Sequence, residues 1–307
     1  MSRPAVPAVW RPALITIVAL PAIASLGGCS GIFDPQGPIG RAELKILLNA
    51  LAIMLAVGAP TIIATLVFAY WFRSSNHRAK YMPHWAYSGR LEVIVWVIPA
   101  LVVMFLGGIA WIGSHDLDPY KPMKHDSPPL EVQVVSMDWK WLFIYPEQGV
   151  ATVNALYIPA GRPIHFRLTS STVMNSFFIP QLGTQIYTMA GMATELSLLA
   201  DGPGVYRGIS AQFSGDGFSD MNFKVHSLSA PEFADWAQRA QAATEKLNST
   251  SYRALSRPGT ERTPKVFGGV EDRLFEDIVA TSKDVGVCKS PSSGADQKTA
   301  RQTTSEN

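Results

Sequence analysis

The chain has 307 residues, of which 47% are hydrophobic and 16% charged, with a formal net charge of +2. Near-neutral charge leaves no electrostatic footprint for nucleic acid, and two cysteines, Cys29 and Cys288, exclude a disulfide-rich scaffold and an all-cysteine zinc site. The average hides a division, because the apolar weight lies before residue 115 and the stretch from about residue 240 is polar, a distribution unlike that of a simple soluble globular protein.

The N-terminus carries Arg3 and Arg11, an apolar run from Ala13 to Leu26, and then Leu26-Gly27-Gly28-Cys29. Charge, a short apolar stretch and small residues describe a signal peptide over residues 1–28. The cysteine directly after Leu-Gly-Gly resembles a bacterial lipobox, in which Cys29 is lipidated and acyl chains hold it at the membrane. An ordinary signal with an incidental cysteine is the alternative. Residues 29–115 then hold the lipid-anchored N-terminus and two apolar runs without charge, 46–72 and 93–114. About 20 residues suffice to span the hydrocarbon core. Tyr70, Trp71 and Trp111 sit near the run ends, where an interfacial aromatic belt places them. Pro60 and Pro99 lie inside the runs, which membrane helices tolerate. The intervening loop holds Arg73, Arg78, Lys80 and Arg90 and no acid, whereas the outer flanks mix both signs. The positive-inside rule therefore puts the loop in the cytoplasm and both the N-terminus and all residues after 114 in the periplasm.

From Leu130 the pattern changes to short β-like runs with turn residues between them. Strands are expected over 131–135, 139–145, 151–158, 163–168, 176–179, 185–189, 194–199, 205–211 and 222–228, with Gly202-Pro203-Gly204 and Ser214-Gly-Asp-Gly217 as turns. Nine short strands without an internal helix predict an all-β Greek-key sandwich or barrel over 116–229. A helical extension follows over 230–285. Phe233, Trp236 and Ala240 share one face of its first helix, and Leu274, Phe275 and Ile278 that of a second. Residues 286–307 read as a disordered polar tail, and Cys288 as a free thiol without an assigned role.

This order of parts resembles subunit II of the haem–copper respiratory oxidases. Leu91-Glu-Val-Ile-Val-Trp-Val-Ile-Pro-Ala-Leu101 is similar to that family's second helix entry, Asp138-Trp-Lys-Trp-Leu-Phe-Ile-Tyr-Pro-Glu-Gln-Gly149 to its aromatic strand, and Ser176-Phe-Phe-Ile-Pro-Gln-Leu-Gly-Thr-Gln-Ile-Tyr-Thr-Met-Ala-Gly-Met192 to its central hairpin. The similarity covers residues 29 to 280, and the fold it implies after the membrane hairpin is cupredoxin-like.

Copper separates the branches of that family. Cytochrome c oxidases hold a dinuclear copper through an upstream histidine and a Cys-x-Glu-x-Cys-x-x-x-His-x-x-Met run. Alignment with that run puts Phe213, Gly215, Gly217, Met221 and Lys224 at the ligand positions, and Asn175 at the upstream histidine. Phenylalanine, glycine and lysine do not replace thiolate and imidazole. Met174, Met189, Met192 and Met221 offer thioethers, but methionine is an ordinary core filler. Between residues 139 and 229 five basic residues balance five acidic ones, leaving no acidic field for a basic cytochrome. Phe213-Ser-Gly-Asp-Gly-Phe-Ser-Asp-Met-Asn-Phe223, the Gln-Leu-Gly-Thr-Gln hairpin and the extension from Glu232 resemble the quinol-oxidising branch, typified by cytochrome bo ubiquinol oxidase.

Glu92 opens the second membrane helix. Position alone allows helix-dipole stabilisation or proton uptake by a carboxylate at membrane depth, and the resemblance implies the second, a proton entry to subunit I. Trp139 and Trp141 read as core packing. His77, His84, His115, His125, His165 and His226 lack metal-ligand spacing and read as non-ligands. No nucleotide loop, nucleophile elbow or zinc signature is present.

The resemblance implies a proton-pumping quinol oxidase in the bacterial inner membrane, reducing oxygen with ubiquinol. This chain then binds no cofactor or metal of its own and carries no catalytic residue. A partner, subunit I, holds two haems and one copper, and the other partners are further oxidase subunits and membrane lipid, with neither nucleic acid nor cytochrome c among them. A cytochrome c oxidase subunit with a degenerate copper site and a non-enzymatic cupredoxin lipoprotein scaffold are the alternatives.

Overall fold

The computed structural model describes residues 31–282 except Tyr81 and Arg262; the expected signal peptide, Cys29, Cys288 and the polar tail lie outside the described residues. The described residues divide into two units.

The first unit holds the helices α1 (Pro38–Trp71) and α2 (Gly89–Asp116) together with residues 180–184. Both helices are long and apolar enough to cross a membrane, with mean hydropathy 2.3 and 2.6. Among the described residues most of their apolar side chains are exposed, with Ile46 beside Gly113 as one contact between the two helices. Both extend beyond the charge-free runs. Pro38, pre-set for a first helical turn, starts α1 before Arg41 and Glu43. Inside α1, Thr61 Oγ1 donates to Val57 O at 2.7 Å, next to Ala56, whose carbonyl Pro60 leaves without an amide donor. Residues 180–184 join this unit through backbone bonds, Gln36 N donating to Gln181 O at 2.7 Å and Gly40 N to Leu182 O at 3.1 Å.

The second unit is a two-sheet β domain with its C-terminal extension. Its strands are β1 (Leu130–Met137), β2 (Lys140–Tyr145), β3 (Val150–Val153), β4 (Ala155–Pro159), β5 (Ile164–Ser170), β6 (Asn175–Phe178), β7 (Ile186–Thr188), β8 (Thr194–Leu198), β9 (Gly204–Ser210) and β10 (Asn222–Leu228). The extension adds α3 (Ala230–Gln241), α4 (Ser249–Leu255), β11 (Lys265–Phe267) and α5 (Leu274–Thr281). One sheet runs β11-β3-β2-β1-β5-β8 and the other β4-β10-β9-β6-β7. The pairs β1–β5 and β4–β10 are parallel and the rest antiparallel.

The core between the sheets is aromatic. Trp141 and Phe143 of β2 meet Phe177 of β6 and Phe223 of β10 at ring separations of 5.1–6.4 Å. Phe223 lies directly over its cross-strand partner Gly208, where any Cβ would overlap the ring. The opposite face of β2 is also buried. There Leu142 and Ile144, with Val135, Met137 and Val153, pack against Leu247, Leu255, Phe267, Leu274, Phe275 and Ile278 of the extension. The extension is therefore a second core layer on the outside of the first sheet.

The structure departs from the sequence reading in four places. Residues 151–158 are two strands, because Asn154 at φ 56° turns the chain from one sheet into the other. Its side chain holds that turn, with Oδ1 accepting from Trp141 N at 2.8 Å and Nδ2 donating to Glu261 O at 2.6 Å. Strand β2 begins at Lys140, since β1 and β2 pair Met137 with Lys140 and leave Asp138 and Trp139 as a two-residue connection. The stretch between the expected extension helices contains α4 and β11, and a 3-10 turn spans Phe218–Asp220.

Helix α3 is capped by Ser229 and Glu232, whose carboxyl is held below the usual range by the hydroxyl and amide of Ser229. Its Trp236 stacks on Tyr157 at 4.5 Å and meets Tyr145 edge-on at 5.1 Å. Replacing Trp236 by alanine is expected to cost about 3–5 kcal/mol, read as a lowered denaturant midpoint, whereas Trp236→Phe should lose a smaller part of it.

Candidate functional site

The positions aligned with copper ligands fall at one end of the sandwich, on the loops 171–174 and 211–221 and the starts of β6 and β10. Asn175 is fully buried at the start of β6. Its Nδ2 donates to Val173 O at 3.1 Å, and its Oδ1 accepts from Ser210 Oγ at 3.3 Å. Met221 is buried, and Ser214 Oγ lies 3.8 Å from its sulfur. Its carbonyl accepts from Ser210 N at 3.1 Å, so Ser210 links Asn175 to Met221. Phe213 points away, 71% exposed, with its ring edge-on to Phe218. Lys224 is exposed on β10 opposite Arg207, outside the cluster. Asn175 and Met221 are thus brought together, while Phe213 and Lys224 are not.

Gly215 and Gly217 lie beneath Trp139. The indole Nε1 donates to Ser214 O at 3.1 Å. A Cβ on Gly217 would overlap the indole ring, and one on Gly215 would stand 3.5 Å from it. Trp139 itself has φ 64°, a left-handed conformation that costs a bulky residue about 1–3 kcal/mol. The half-buried indole gains its hydrogen bond and its seat on Gly217 in return. Core packing describes Trp141, which is fully buried, but not Trp139, which covers the loop from outside. The Gly-x-Gly spacing was the one signal of this contact in the sequence; the two-residue turn that aims Trp139 was not legible.

The donor set is amide, hydroxyl, thioether and backbone carbonyl. A dinuclear copper requires thiolate and imidazole, so these residues do not fit it. Among the described residues no group of three or more His, Cys, Asp or Glu side chains could hold a metal ion. Of the histidines, His165 stands 3.8 Å from Glu195. His226 stacks on Tyr157 at 4.8 Å, its pKa lowered by burial and then by Lys224. Lys140, which follows Trp139 in the chain, is buried and donates to Arg257 O at 2.8 Å. Burial lowers its pKa, against the opposing pull of Glu261 and Asp138.

Glu92 sits in the first turn of α2, its side chain exposed and its amide bonded to Ser88 O at 3.0 Å. It belongs to the helical unit, whereas the loop cluster belongs to the β domain.

Substituting Gly217 by alanine is expected to expel the indole and destabilise the domain by about 1–3 kcal/mol. The difference emission spectrum against Trp139→Phe should then report Trp139 in water, and an unshifted spectrum would contradict the contact.

Residues 102–228 match the family described as cytochrome c oxidase subunit II, periplasmic domain. Over 270 residues the chain is 45% identical to the cytochrome bo(3) ubiquinol oxidase subunit 2 of Pseudomonas aeruginosa, covering 88% of this chain and 82% of that one. It is 48% identical to the ubiquinol oxidase subunit 2 of Acetobacter aceti, covering 83% and 84%. It is 34% identical to the quinol oxidase subunit 2 of Bacillus cereus, covering 82% and 87%. With a membrane-capable helix pair, a cupredoxin-like sandwich and relatives matched over most of their length, the chain belongs to the ubiquinol oxidase subunit 2 family.

Proposed function

We propose that the chain serves as subunit II of a proton-pumping terminal oxidase that passes electrons from ubiquinol to oxygen in the bacterial inner membrane. The observation that carries this reading is the Trp139 indole seated on Gly217, where the copper-binding members of the wider family place a cysteine. A chain with that position filled offers no relay for electrons from a soluble cytochrome, and electrons enter through a lipid-dissolved carrier. The balanced charge of the β domain supports the same choice, since a basic cytochrome docks on an acidic field. Haems and copper then reside in subunit I, which this chain covers and stabilises.

In this reading Cys29 is the lipidated first residue of the mature chain, and it and the β domain are periplasmic. The loop 73–90 is cytoplasmic, as its four basic residues and lack of acids favour. Glu92 begins α2 directly behind that loop. A carboxylate there stands at the water boundary of an apolar helix and takes up protons for subunit I.

Two outcomes are expected of the purified complex. Ubiquinol drives oxygen uptake, whereas reduced cytochrome c does not; efficient turnover with cytochrome c would contradict the proposal. Replacing Glu92 by glutamine slows ubiquinol-driven turnover by about tenfold or more while haem content and subunit composition stay normal. Full activity in that variant would remove the proton-entry role and leave the electron-donor assignment standing.

A further inference from the structure

The connection between α1 and α2 gathers positive charge where the two apolar helices end. Arg73 is fixed at the α1 terminus, its guanidinium 4.1 Å from the centre of the Tyr70 ring and its Nε donating to Ser75 Oγ at 2.9 Å. Asn76 Nδ2 closes the helix by donating to Trp71 O at 2.6 Å, and Asn76 Oδ1 accepts from Arg78 N at 3.2 Å. This places Arg78 on the turn that follows. Lys80 and Arg90 complete the set, and residues 73–91 contain no acid. Among the described residues none of the four cations makes an ion pair. Trp71 and Trp85 on the same connection are 49% and 58% exposed. Exposed indoles beside these cations, at the ends of two largely exposed apolar helices, form a surface that fits phosphate above hydrocarbon.

We infer that the α1–α2 connection is a seat for anionic phospholipid headgroups. The phosphates pair with Arg73, Arg78, Lys80 and Arg90 while the indoles of Trp71 and Trp85 lie at the headgroup level. Arg73 is the anchoring cation, because its stacking on Tyr70 and its bond to Ser75 settle its direction before a lipid arrives. The placement of this seat in the cytoplasmic leaflet rests on the topology proposed above; the selectivity for negative charge does not.

The test uses the intact oxidase complex in phosphatidylcholine bilayers that carry a small fraction of a photoactivatable lipid, either phosphatidylglycerol or phosphatidylcholine. Peptides from residues 73–90 should be labelled by the phosphatidylglycerol probe in strong preference. One basic side chain near an anionic surface is worth about fivefold. The combined variant Arg78→Gln, Lys80→Gln, Arg90→Gln should therefore lower that labelling by about a hundredfold. The charge-keeping variant Arg78→Lys, Arg90→Lys should stay close to wild type, which separates lost charge from lost folding. Equal labelling by both probes, or undiminished labelling in the glutamine variant, overturns the seat and hands these cations to a protein partner. A membrane-impermeant amine reagent applied to right-side-out vesicles reads the topology separately. Reaction at Lys80 from outside contradicts the orientation, and protection supports it, whatever the lipid probes report.

Discussion

An indole and a side chain at position 217 cannot occupy the same space. Trp139 rests on the backbone of Gly217, and the Cβ of any residue there would enter its ring. The rest of the loop is arranged around that contact. Ser214 turns its carbonyl to the indole Nε1, Phe213 swings outward, and Met221 sinks into the core. Asn175 is held by Ser210 and by its own neighbour Val173. Ser210, Asn175, Val173 and Met221 form a hydrogen-bonded corner at this end of the sandwich. The left-handed turn at Trp139 is the local cost of seating the indole on Gly217.

A second layer supports the first. Strand β2 carries Trp141 and Phe143 on the face toward the other sheet, and Leu142 and Ile144 on the face toward the extension. A strand of this kind is stable only if both faces are covered. Helices α4 and α5 with β11 supply the outer cover, and Arg167 ties α5 to the sheet through Glu276 at 3.2 Å. Lys140 and Asn154 fasten the segment before β11 by donating to the carbonyls of Arg257 and Glu261. The extension thus braces the very hairpin whose turn carries Trp139.

Much of the fold was legible because its signals are local. The alternation of Ile164, Phe166 and Leu168 marks β5, and the spacing of Phe233 and Trp236 marks α3. Charge-free runs marked both membrane helices, although Pro38 and the polar turn after it carry α1 further back than hydropathy reaches. What the sequence concealed depends on partners distant along the chain. Asn154 breaks an apparently continuous strand because Glu261 and Trp141 hold it in a turn. β11 has only three residues and is a strand only through its pairing with β3. The resemblance aligned Phe213 and Lys224 with copper ligands but carried no sign of where they stand: Phe213 is exposed, Lys224 lies on an outer face, and Trp139 comes from a turn that reads as strand.

Exposed apolar helices, a basic connection between them and a loop cluster whose donors do not suit copper all support the proposal that this subunit anchors an oxidase whose redox chemistry lies in another subunit. The most direct measurement of that claim is the metal content of the purified complex together with its near-infrared spectrum. The account predicts copper only in the amount of the haem-bearing subunit's own oxygen-reducing centre, and no dinuclear copper band. Additional copper that stays with this polypeptide after the subunits are separated would contradict it.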